Sequence, residues 1–207
     1  GQERWTAQTG GPLLCSPAFD PKSERVIIGS EDMHVYAFDL DGRQIWKSPK
    51  LPGVSFRGYH PVIAPDGSVM ITVSPFAGGD AIQELMQDMV KEVFGNMASW
   101  RHKKEENERY KRANFELMQD PRTYPRQMEY LRKRLAEEPA YQTFFVLDGR
   151  TGKPKFVTPI VYAESMNGGG SPPLVTPQGK VIVEYSALLK SPYGQYSPFL
   201  NVGYLAT

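Results

Sequence analysis

Cysteine is nearly absent: Cys15 stands alone in 207 residues. That excludes an intramolecular disulfide and a cysteine-built metal cluster, and it leaves the redox compartment open. Histidine is scarce too, and His34, His60 and His102 are too scattered to form a recognisable metal motif. No apolar run is long enough to cross a bilayer as a helix. Charge of one sign is also lacking. The 24 Lys and Arg against 23 Asp and Glu leave a net +1, which gives no electrostatic reason to expect nucleic acid or an acidic partner. Gly168-Gly169-Gly170 lacks a following helix whose N-terminus could take an anion, so it reads as a flexible turn rather than a phosphate loop.

What is present is repetition. Arg25 to Trp46, RVIIGSEDMHVYAFDLDGRQIW, reads as strand, turn, strand, turn, strand. Val26, Ile27 and Ile28 suit a buried pleated surface. Glu31-Asp32-Met33 and Asp41-Gly42 are the breaks, the second using the positive φ open to glycine. Gly42-Arg43-Gln44-Ile45-Trp46 matches Gly1-Gln2-Glu3-Arg4-Trp5 and Gly152-Lys153-Pro154-Lys155-Phe156. Pro17 to Pro21 matches Pro61 to Pro65 and Pro173 to Pro177, and Val26-Ile27-Ile28 matches Val69-Met70-Ile71 and Val181-Ile182-Val183. Trp5 and Trp46 lie about 41 residues apart, a period of repeated four-stranded β units.

In order, Gly1 to Trp5 reads as the outer strand closing one unit, and Thr6 to Cys15 as a connector turning at Gly10-Gly11-Pro12. The first complete unit starts at Ser16, and Lys47 to His60 connects it to the second. The second unit is interrupted after Ser74. Ile82, Leu85, Met86, Met89, Val90, Val93, Phe94 and Met97 follow the spacing of one apolar helix face. Asp80 is the expected N-cap, and Gly95-Asn96 kinks or ends the helix. Trp100 to Met118 reads as a solvated helix laced with i, i+3 and i+4 charge pairs, and Arg126 to Glu137 as a further helix after a turn at Pro121 and Pro125. The displaced strand resumes at Gln142 to Asp148. Residues 1–77 are thus blades, 78–140 a helical insertion, and 141–207 blades continued. The chain opens at Gly1 without a methionine or a secretory leader, and it opens and stops inside repeat units; we read it as a segment of a longer polypeptide.

The units resemble the blades of pyrroloquinoline-quinone-type β-propellers, found in quinoprotein alcohol dehydrogenases and in BamB-like outer-membrane assembly lipoproteins. The outer part of a blade in that superfamily reads A-x-D-x-x-T-G-x-x-x-W. Ala37, Asp39, Gly42 and Trp46 match it with one residue fewer before the glycine. Asp148, Thr151 and Gly152 match it at full spacing, with Val146 for the alanine and Phe156 for the tryptophan. The resemblance implies an all-β fold, a partial β-propeller of four-stranded antiparallel blades with an α-helical insertion. It also implies that Trp5, Trp46 and Phe156 dock between neighbouring blades while the Asp and Thr-Gly fix a turn. Propellers need at least about four blades, so the rest of the same propeller chain is required for closure.

For function the superfamily offers two classes. One is a non-catalytic scaffold outside the cytoplasm, periplasmic or in the cell envelope, docking protein or polymer partners through one loop face and the insertion. The other is a quinone-dependent dehydrogenase whose catalytic residues lie in further blades. Pyrroloquinoline quinone and calcium belong only to the second, and none is expected in this segment. Candidate face residues are Arg57, Tyr59 and His60 on a connector into an inner strand, Asn167 beside the glycine run, and Tyr193 and Tyr196 in an aromatic loop. Each has a plainer reading, as a loop residue packing on its own blade. The insertion and the Ala187 to Asn201 loop are expected side by side on one rim, with Arg101, Lys103, Lys104, Arg109, Lys111 and Arg112 in water.

Overall fold

In the computed structural model, the described residues are 1–74, 78–95, 109, 116–117, 120–161, 172–178, 180–183 and 203–205. They form two four-stranded antiparallel sheets and one of three strands. The first sheet holds β1 (Ala18–Asp20), β2 (Arg25–Ser30), β3 (His34–Phe38) and β4 (Gln44–Lys47) in sequence order. The second holds β5 (Val62–Ile63), β6 (Val69–Thr72), β7 (Phe144–Leu147) and β8 (Pro154–Val157). In the third, β9 (Leu174–Val175) and β11 (Gly203–Leu205) flank β10 (Val181–Val183). The expected all-β architecture of blades with a helical insertion is the one observed.

The two complete sheets share a register. Ala37 lies opposite Trp46 with a shift before Phe38, and Val146 lies opposite Phe156 with a shift before Leu147. Strand alternation then sends each sheet's apolar residues to both faces. Ile27, Val35, Ala37 and Trp46 of the first sheet meet Val69, Ile71, Phe145 and Leu147 of the second in one buried core. The even-numbered partners of the second sheet, Met70, Phe144 and Val146, point the other way and pack with Val181 of the third. The central strands β6 and β7 are buried on both faces, which is why such sheets must stack.

The helices leave the second sheet between β6 and β7. Helix α1 spans Gly78–Phe94 and stops at Gly95, whose φ of +87° is a helix-ending conformation. Helix α2, Tyr124–Glu137, follows a single turn at Pro121–Thr123 that Asp120 caps by accepting the Arg122 N–H. Leu85, Met89 and Val93 of α1 pack on Leu131 and Leu135 of α2 and on Val161 beyond β8. Arg126 ties the pair again, donating to the Val93 carbonyl at 2.6 Å.

Three expectations need correction. Gly1 to Trp5 is not a strand: a five-residue segment with no paired neighbour among the described residues has no ladder to complete. Asp80 is not the N-cap, because the helix already runs from Gly78 and places Asp80 in its first turn. Helix α2 starts at Tyr124 rather than Arg126, since Pro125 fits the first turn of a helix, where its missing N–H costs nothing. Met97 and most of the Trp100 to Met118 segment lie outside the described residues, as does the Ala187 to Asn201 loop.

Candidate functional site: the turn and connector face

Both ends of the blade stack are assembled from turns, and the two ends are built differently. At one end, acidic residues close the hairpins. Asp148 Oδ1 accepts the Arg150 and Thr151 N–H groups and the Thr151 hydroxyl at 2.9 to 3.0 Å. The Thr151 hydrogen bonds come first in holding that carboxyl below its ordinary pKa. Asp39 Oδ1 takes the N–H groups of Asp41 and Arg43 in the same way, each at 2.9 Å. Burial pushes Asp20 and Asp66 up, but hydrogen bonds from Ser23 and Lys22, and from Ser68 and Lys155, outweigh it and hold both low.

Onto these turns the tryptophans dock. Trp46 donates its indole N–H to the Gly149 carbonyl at 2.9 Å, and its ring fills the space where a Gly152 side chain would begin. Trp5 repeats the arrangement one blade earlier: its N–H reaches the Leu40 carbonyl at 2.9 Å, and a Cβ on Gly42 would fall 2.7 Å from its ring. Gly42 and Gly152 both have positive φ, +81° and +71°, so each position needs glycine for conformation and for space. Arg25 adds a second donor to the Gly149 carbonyl at 2.8 Å, and Lys22 spans the same junction to the Pro65 carbonyl at 2.6 Å. Phe156 sits at the place equivalent to Trp46 but is 46% exposed. Ala37 and Val146, opposite these aromatics, are buried.

The other end carries the connectors, where the candidate face residues were placed. Arg57 and His60 are exposed there. Tyr59 is not available in the same way: it is 2% exposed and turned into the protein. Its neighbour Phe56 is fully buried, lying so close over Gly29 that a Cβ there would meet its ring at 2.8 Å. The apolar side chains of this connector are spent on the blade beneath, leaving the cationic and imidazole groups outward. Asn167, Tyr193 and Tyr196 lie outside the described residues.

A polar cluster at the first turn of this end was not singled out from the sequence. Tyr36 donates to Asp32 Oδ2 at 2.5 Å and accepts the Gly10 N–H at 3.1 Å. Lys47 reaches the same carboxylate at 3.2 Å and lies 5.0 Å from the centre of the Tyr36 ring. The Asp32 carboxyl is pushed up by burial, but the Tyr36 and Lys47 hydrogen bonds dominate and hold it low. His34 donates from Nδ1 to the Ser48 carbonyl at 2.7 Å. Glu31 accepts the Phe56 N–H at 2.9 Å, and its own N–H donates to Pro12. These groups lash both connectors to one hairpin turn. Cys15 belongs to the same strap, its thiol donating to the Gly29 carbonyl at 3.4 Å and pushed up by burial. The signal was legible in part: strand alternation puts Tyr36 and Phe38 on one face, where their rings stack at 6.1 Å.

A quinone site would need a tryptophan free to stack and a set of calcium ligands. Trp5 and Trp46 are both committed to glycine turns, and no group of three His, Cys, Asp or Glu side chains among the described residues is placed to hold a metal ion. No helix among the described residues is long and apolar enough to cross a membrane.

No family model matches the sequence, and neither does any curated protein. Among solved structures the chain is similar to the crystal structure of BamB from Moraxella catarrhalis, at 14% identity and a TM-score of 0.41. The similarity covers 86% of this chain and 33% of that one, so the chain spans about a third of its length.

Proposed function

We propose that the chain is part of a non-catalytic β-propeller scaffold outside the cytoplasm, which docks protein or polymer partners through its connector face and helical insertion. The observation that carries the reading is how the insertion is built. Among the described residues, Leu85, Met89 and Val93 of α1 are taken up by Leu131 and Leu135 of α2 and by Val161, while Glu84, Asp88, Lys91 and Glu92 of α1 and Glu129, Arg132 and Lys133 of α2 stay exposed. Such a pair, too small to fold alone, packs its described apolar side chains inward and turns charged ones outward. Near the connectors, Asp32 and Glu31 are occupied by internal donors and serve as fasteners. Arg57 and His60 are left as exposed contacts on the same end of the stack.

The test replaces residues 80–139 with a short turn in the full-length protein. Circular dichroism and thermal unfolding then report the blades, and crosslinking in the native envelope reports partners. Retained blade folding with lost crosslinks is the expected result. Retained folding with every crosslink unchanged makes the insertion a decoration and overturns the reading. Fractionation of cells expressing the full-length protein checks the location: recovery with the cell envelope is expected, and recovery with the cytoplasm contradicts it.

A further inference from the structure

Two consecutive residues after β8 face different bodies. Ile160 is buried with Ala64, Met70, Phe144 and Val146 of the second sheet and with Val181 of the third. Val161 is buried with Leu85, Met89 and Val93 of α1 and with Leu131 and Leu135 of α2. This connector therefore joins the two apolar clusters through adjacent residues, one side chain seated in each. Just upstream it is anchored: Thr158 is buried and donates to the Phe144 carbonyl at 2.6 Å, and Val157 pairs with Phe145.

We propose that the helical insertion is conformationally coupled to the third blade through Ile160 and Val161, so that whatever rearranges the α1–α2 pair changes the seating of β10. Packed interfaces transmit such changes because they hold discrete arrangements rather than deforming smoothly. The proposal does not depend on the docking reading above, because it concerns the transmission and not the partner. It gives the insertion a role even where its outer surface binds nothing.

The test is amide hydrogen exchange on the full-length chain, followed by mass spectrometry. Leu135→Ala opens a cavity between the helices, 26 residues before Val161 in sequence and in a different element. Coupling predicts faster exchange in the peptide containing Val181–Val183, by about 2- to 30-fold, with β2 and β3 unchanged. Val161→Ala trims the link itself and should speed the same peptide without unfolding the helices. It also serves if Leu135→Ala destabilises the whole chain. Faster exchange in α1 and α2 with no change at Val181–Val183, in either variant, overturns the proposal.

Discussion

Replacing Trp46 by alanine removes the side chain on which the first two blades meet. Trp46 is 6% exposed and belongs to the core shared by both sheets. Large aromatic-to-alanine substitutions at such sites cost about 3–5 kcal/mol. The lost hydrogen bond adds little, because the Gly149 carbonyl keeps its second donor, Arg25, at 2.8 Å. Trp46→Phe separates the two terms. It retains most of the packing and loses the N–H, which is worth about 0.5–1.5 kcal/mol. The equivalent change at the half-exposed Phe156 should stay within about 1–2 kcal/mol. Urea unfolding followed by far-ultraviolet circular dichroism gives all three values. The stability loss should rank Trp46→Ala first by a wide margin. A Trp46→Ala protein within about 1 kcal/mol of the parent, or a Trp46→Phe protein as damaged as the alanine variant, refutes inter-blade docking as the main role of this residue.

Gly152→Ala should destabilise although it adds only a methyl group, because φ is +71° and the new atom meets the Trp46 ring; about 1–3 kcal/mol of strain is expected in the same denaturation assay. Stability should hold above the ordinary aspartate pKa of about 3.9 and fall as pH drops through the lower folded values. Asp20, Asp32, Asp66 and Asp148 are all held low in the folded state, so protonation is what removes their contribution. Acid titration of Asp66→Asn should show a shallower decline than the parent. Leu135→Ala should cost about 2–5 kcal/mol of local stability, seen as loss of helical signal. Titration with pyrroloquinoline quinone should give no saturable absorbance change, and a one-to-one end point contradicts that.

Much of the blade pattern was legible because it is repeated and because period-2 alternation is a strong signal. The three copies of the inner-strand and second-strand landmarks align with β1, β5 and β9 and with β2, β6 and β10. The helical face was legible for the same reason, as Leu85, Met89 and Val93 recur on one side of α1. Boundaries were less so. Gly1 to Trp5 carries the strand motif without a paired neighbour among the described residues, since a motif records side chains and a strand requires a ladder. On the connector face, Arg57, Tyr59 and His60 look alike in sequence, and only packing separates the buried Tyr59 from its exposed neighbours. The Asp32, Tyr36 and Lys47 cluster was missed because its partners come from two strands and a turn, and Gly10 joins from a connector.

The central claim is that successive repeat units stack as blades, with Trp5 and Trp46 each docking on the glycine turn of the next unit. Nuclear magnetic resonance of the Trp46 indole reads that contact directly. The account predicts an Nε1 proton protected from solvent exchange by its bond to the Gly149 carbonyl, together with Overhauser contacts from the ring to the Gly152 α protons. An indole proton that exchanges freely, with no contact to Gly152, would contradict it.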